Sequence, residues 1–213
     1  MYLSELLLRD AEAARLIPRD NYGWHKVLWT FFPGQEQRDF LYRVEQHTGA
    51  LKILVLSATE PTPPTTLPPR IFRCKEIPES FLQHQRYRFC LRANPIRCRK
   101  LDKVTGEQRK RGLRAPITDE HELAHWLIRK GQQHGFTIAH ADAWPDLSCP
   151  LTISREGRRS FRKKGLEPAH HASVEFRGIL DVQDPVAFRQ CVETGIGPAK
   201  AFGFGLLMLQ PIS

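Results

Sequence analysis

Twice along this chain, apolar runs of period two flank a stretch whose apolar residues recur every three or four positions, and this repeated order restricts the fold more than any other feature. Residues 2–8 are apolar and strand-like. Within residues 20–32, Trp24, Val27, Leu28, Phe31 and Phe32 share one helical face, with Asp20 or Asn21 available as a cap and Pro33-Gly34 as a stop. Residues 39–46 and 51–58 form a strand pair around His47-Thr48-Gly49-Ala50, which suits a hairpin turn. Residues 60–69 hold five prolines and suit only an extended crossing segment, after which residues 70–77 supply a short closing strand.

The second half repeats the scheme. Tyr87, Phe89, Leu91 and Ala93 alternate with Arg86, Arg88, Cys90, Arg92 and Asn94, predicting a strand with one basic face whose Arg88 and Arg92 line a cleft between domains. Residues 97–116 read as a basic loop. Thr118-Asp119-Glu120 opens a helix that runs to about residue 133 and carries Leu123, Trp126, Leu127 and Lys130. Strands follow over residues 136–144 and 173–182; Asp184-Pro185 then starts a helix that Gly195 stops, and residues 206–209 form the last strand. Over residues 151–164, Arg155, Arg158, Arg159 and Arg162 with Lys163 and Lys164 predict a hairpin whose tip and arm are cationic. An α+β chain of two tandem ferredoxin-like (βαββαβ, RRM-like) domains, residues 1–82 and 83–213, accounts for this order.

Charge narrows the partners. Lys and Arg number 32 against 23 Asp and Glu, a net +9, which favours a polyanion such as nucleic acid. No apolar run approaches the ~18–20 residues of a bilayer span, and the N-terminus shows no basic leader ahead of an apolar stretch, so the expectation is a cytoplasmic chain with no membrane partner. The five cysteines include no Cys-x-x-Cys pair, and reduced thiols are expected.

Three motifs carry possible chemistry. His121-Glu122-Leu123-Ala124-His125 matches a zinc-peptidase pattern, but the extended form needs glycine at 128 and histidine at 131, where Ile128 and Gly131 stand; a chance match with solvent-facing histidines is expected, with no metal site and no cofactor. The run Gly195-Ile196-Gly197-Pro198-Ala199-Lys200, followed by Gly203 and Gly205, lets backbone N–H groups approach phosphate, yet it lacks the Gly-Lys-Ser/Thr of a nucleotide loop. On the first helix, counting about 100° per residue from Trp24, Tyr22 and His25 flank the apolar stripe rather than fill it.

These stretches, together with Met1-Tyr2-Leu3-Ser4, Arg19-Asp20, Leu28-Trp29, Phe32-Pro33 and Phe89-Cys90-Leu91-Arg92-Ala93-Asn94-Pro95, resemble the CasE family, the CRISPR RNA-processing endoribonucleases of type I-E systems. The resemblance runs nearly end to end and is most specific in the glycine-rich loop. It implies two ferredoxin-like domains of the RAMP superfamily and metal-independent cleavage of repeat RNA at the base of a stem-loop. It also implies retention of the product as a subunit of the Cascade complex. His25 matches the family's catalytic histidine, Tyr22 the tyrosine associated with it, and Lys200 with its glycines Gly197 and Gly203 the motif linked to RNA contact.

The chemistry is compatible. An RNA 2′-OH can attack its own neighbouring phosphorus, leaving a 2′,3′-cyclic phosphate and a 5′-OH, so the protein need supply only geometry, proton transfer and charge. An imidazole suits the proton transfer. Arg92, Arg155, Arg158, Arg159 and Arg162 are the expected RNA contacts. The alternatives are a non-catalytic RNA-binding subunit of the same superfamily and a zinc peptidase built on His121, Glu122 and His125.

Overall fold

A computed structural model describes residues 1–9, 21–101, 108–139, 151–161 and 169–212, with backbone alone at 21–22, 99–101, 108–113, 158–161 and 169–170. The first sheet contains β1 (Tyr2–Arg9), β2 (Phe40–His47), β3 (Ala50–Ser57) and β4 (Phe72–Glu76) in the order β2-β3-β1-β4, every pair antiparallel. Helix α1 (Asn21–Trp29) crosses one face. This is the ferredoxin-like strand order with one substitution: the second helix is replaced by the proline-rich segment after β3, because prolines there remove the N–H groups a helix would need. α1 is shorter than its apolar periodicity predicts. Thr30, Phe31 and Phe32 donate their N–H groups three residues back instead of four, a tightened last turn that still buries Phe31 and Phe32.

The second sheet runs β11-β5-β10-β8, from β11 (Leu207–Pro211), β5 (Arg86–Ala93), β10 (Ala169–Val182) and β8 (Phe136–Ile138). α2 (Glu120–Gln133) connects β5 to β8 and α3 (Pro185–Thr194) connects β10 to β11, giving a complete ferredoxin-like unit. Both helices start where the cap residues predict. Asp119 Oδ1 accepts the Glu122 N–H at 2.9 Å, and Asp184 Oδ1 accepts those of Val186 at 2.9 Å and Ala187 at 3.1 Å.

Two elements differ from expectation. The segment read as a basic loop is a two-stranded ribbon, β6 (Ile96–Leu101) paired with β7 (Gln108–Pro116); its only alternation, Ile96-Arg97-Cys98-Arg99 and Leu113-Arg114-Ala115, is too short and too cationic to mark a strand. The cationic hairpin is longer than residues 151–164. β9 (Thr152–Phe161) is a single arm paired along β10, so Arg155–Arg159, expected at the tip, lie along the arm instead, with the backbone alone described for Arg158 and Arg159; Arg162 lies outside the described residues. Likewise the strand expected over 136–144 is described only through Ile138–Ala139, and Cys149 is not described.

The sheets are joined through β2. Phe40 and Tyr42 pack beneath α1 with Leu6, Leu8, Trp24, Leu28 and Ile53, while Leu41 points the other way and joins Leu54 and Leu56 in the second domain's core. Arg43, only 2% exposed, lies on that same outward face. A strand buried on both faces is what a domain junction requires. No helix among the described residues is long and apolar enough to cross a membrane.

Candidate active site

His25 lies beside the buried stripe of α1, as its angular position dictates: Trp24 and Leu28 are buried, whereas His25 is half-buried. Its ring stands 5.9 Å from that of Phe40 and 6.1 Å from that of Trp29. Trp29, one helical turn on, donates its indole N–H to His25 Nε2 at 3.1 Å. An indole nitrogen only donates, so Nε2 holds a lone pair and the imidazole is neutral in this arrangement. Burial first, and then the charge of Arg38, push the His25 pKa below the ordinary imidazole value, because both disfavour an imidazolium.

Arg38 reaches the site from the segment before β2. Its neighbour Asp39 fixes that segment by accepting the Thr59 hydroxyl at 2.7 Å and the Thr59 N–H at 3.2 Å. Lys200 arrives from the opposite domain, at the start of the 3₁₀ turn Lys200–Phe202, against which α1 packs. Burial and then the field of Arg38 lower the Lys200 pKa, and burial lowers that of Arg38. Among the described residues neither cation pairs with a carboxylate. Two partly buried like charges beside a neutral imidazole create a local positive potential that a phosphate group would neutralise.

The loop that carries Lys200 is held by β2. Tyr42 Oη donates to the Ala201 carbonyl at 2.8 Å, and Gly203, at φ +81°, lies so close that a Cβ would stand 3.2 Å from the Tyr42 ring. Gly195 lies over Leu41 in the same way, and the loop closes on itself and on β5 through Ile196 N–H to Gly205 O (3.0 Å) and Gly205 N–H to Arg92 O (2.9 Å).

The profile of the family described as "CRISPR associated protein" matches residues 1–211. The chain is also 31% identical, over all of both chains, to "CRISPR system Cascade subunit CasE" of Escherichia coli (strain K12). It belongs to the CasE family. A second relative, "CRISPR-associated endoribonuclease Cse3" of Thermus thermophilus, is 29% identical over 99% of this chain and 100% of its own. Among solved structures, that of CRISPR endoribonuclease Cse3 bound to a 19 nt RNA is similar with a TM-score of 0.74 and 27% identity, covering 99% of this chain and 100% of that one.

In this CasE-family chain the fold brings His25 and Lys200 to one junction, although 175 residues separate them (200 − 25). The backbone of Tyr22 falls in the first turn of α1, and its side chain lies outside the described residues. Gly197 covers the edge of the Trp126 ring. Two expected RNA contacts are moved inward. Gly203 is buried against Tyr42; Arg92 is 8% exposed, donating to Val44 O at 2.8 Å and to Glu156 at 2.6 Å, because the basic face of β5 is partly covered by the first domain. Arg155 is exposed on β9. His121 and His125 both face solvent, and Glu122 between them is paired with Arg97 at 2.6 Å. Sequence reasoning missed Trp29 and Arg38. The i, i+4 spacing of Trp29 from His25 was a usable signal, whereas nothing local marks Arg38.

Proposed function

We propose that this chain cuts CRISPR repeat RNA at the base of a stem-loop and stays with the resulting guide RNA as a subunit of the Cascade complex. The observation that carries the reading is the neutral His25 set beside Arg38 and Lys200, two cations with no carboxylate partner among the described residues, in a chain related end to end to a Cascade subunit and a CRISPR endoribonuclease. The RNA 2′-oxygen attacks the adjacent phosphorus as the bond to the 5′-oxygen breaks. His25 Nε2 takes the 2′-OH proton once the ribose displaces the Trp29 indole, and a proton returned to the leaving oxygen completes a 2′,3′-cyclic phosphate and a 5′-OH. Arg38 and Lys200 stabilise the extra charge of the phosphorane. Tyr22 orients His25 or the phosphate, or donates to the leaving oxygen. The nucleophile belongs to the RNA, so the mechanism calls on no metal or cofactor. Arg155, Arg158 and Arg159 of β9, with Arg162 next along the sequence, meet the phosphates of the stem, whose deep, narrow major groove admits few side chains. The transcript places this work in the cytoplasm.

Incubating the protein with repeat RNA in EDTA tests the mechanism. Cleavage should persist in EDTA, stop when the 2′-OH at the scissile position is removed, and fall by about 10²–10⁴-fold in His25→Ala. A requirement for divalent ions, or full activity in His25→Ala, would overturn it.

A further inference from the structure

A cavity of about 640 Å³ opens beside Lys200, between α2, the β6–β7 ribbon and the glycine loop. Its volume is within the roughly 300–1,000 Å³ that holds a small ligand. Among the described residues four cations line it, Arg114, Arg129, Lys130 and Lys200, and no carboxylate does. Trp126 and Pro198 add an apolar wall. The field inside is positive enough that Lys130 and Lys200, after burial, lower the pKa of His134 on the same wall. Such a lining suits a ligand with an anionic group and a flat or sugar-like body.

Lys200 belongs to both sites. It lines the cavity, and its charge meets that of Arg38, which acts on His25, so the cavity borders the candidate active site at this side chain. Paired RNA is too broad to enter a recess of this size, whereas one unpaired nucleotide fits. A cut at the base of a stem leaves an unpaired strand next to the scissile linkage.

We propose that this cavity receives the phosphate and nucleoside of the first unpaired RNA residues beyond the stem, so that the protein reads the junction between paired and unpaired RNA rather than the stem alone. The proposal rests on the RNA-cleaving reading above. Arg114 and Arg129 grip the backbone of the unpaired strand, and Trp126 with Pro198 bounds its nucleoside.

The test compares two stem-loop RNAs, both 2′-deoxy at the scissile position so that neither is cut. One ends at the last base pair and one carries three unpaired nucleotides beyond it. The wild-type protein should bind the tailed RNA about tenfold or more tightly over the blunt one, and the double variant Arg114→Ala/Arg129→Ala should bring that ratio close to one. The variant should also lower the salt slope for the tailed RNA, by about one for each lost phosphate contact. Both arginines are exposed, and thermal denaturation of the variant checks that the fold is intact. A preference for the tail that survives in the double variant, or no preference in the wild type, overturns the proposal while leaving RNA cleavage standing. Absence of binding to either RNA, with no cleavage of the unmodified repeat, overturns the RNA-cleaving reading itself.

Discussion

Trp29 binds Nε2 of His25, the imidazole whose charge burial and then Arg38 already disfavour. Its N–H can bind Nε2 only while that nitrogen is deprotonated, so the contact adds to burial and Arg38 in favouring the neutral ring. With His25 as base, activity should therefore hold somewhat below pH 6.5 and fall as the ring protonates at its lowered pKa. Trp29→Phe keeps an aromatic ring but removes the donor. The acid limb of the pH–rate profile should then move to higher pH, together with the His25 titration followed by NMR; an unmoved limb would leave Trp29 with packing alone. Stability has the same sign. A histidine whose folded pKa is depressed contributes its stability fully above about pH 6.5, and loses it as the pH falls through the folded value.

At the scale of elements, the glycine loop between α3 and β11 is the part on which Lys200 depends. Its backbone turns with left-handed residues at Ala199 and Gly203, and Tyr42 occupies the space a side chain at 203 would need. Gly203→Ala should cost about 1–3 kcal/mol through backbone strain and contact with Tyr42, read by thermal or denaturant unfolding. Cleavage should drop further than folding does, since the turn sets where Lys200 lies. Tyr42→Phe, which removes only the bond to Ala201, should cost about 1 kcal/mol and change the activity in the same direction. The β9–β10 hairpin shows a second local device. Ser173 pairs with Gly157 and Val174 with Arg155, so Glu156 is the extra residue of a bulge, permitted by Gly157 at φ +88°, and its carboxylate reaches both Arg92 and Ser173.

The whole molecule is tied together by charge at the domain junction. Glu175, on β10 of the second domain, pairs with Arg43 of the first; Arg43 also donates to Glu45 at 2.8 Å, and Arg177 approaches the second oxygen of Glu175 at 2.7 Å. Burial opposes the Glu175 charge, but the charge of Arg43 and hydrogen bonds from Arg43 and Arg177 outweigh it, leaving its pKa below the usual carboxylate value. The linkage is therefore that of a depressed acid: its stabilisation is complete above about pH 4.5 and lost as the pH falls through the lower folded value. Glu175→Gln should destabilise the protein by about 2–4 kcal/mol by weakening the pairing of the buried Arg43, and it should flatten the acid limb of the stability curve. An unchanged unfolding midpoint would remove the network from the junction's stability. The net +9 charge makes a further prediction at this scale. RNA affinity should fall steeply with salt, linear on a log–log plot with a slope that reports released counterions, and a flat dependence would contradict a charged interface.

Periodicity alone determined most of the two sheets, because the residues of β1, β2, β3, β5 and α1 are patterned by the faces they bury. The resemblance singled out His25 and Lys200, and Asp119, Asp184 and Gly195 marked helix ends through local backbone chemistry. The ribbon β6–β7 left only a faint trace, a short alternation at Ile96–Arg99 and Leu113–Ala115 within a run of cations. Nor could local pattern show that Arg92 turns inward, that the charge of Arg38 acts on both His25 and Lys200, or that a basic cavity adjoins them. The first two arise where two domains meet and the cavity where distant segments of the second domain converge, so in each case a charge's environment is set by residues far away in the chain.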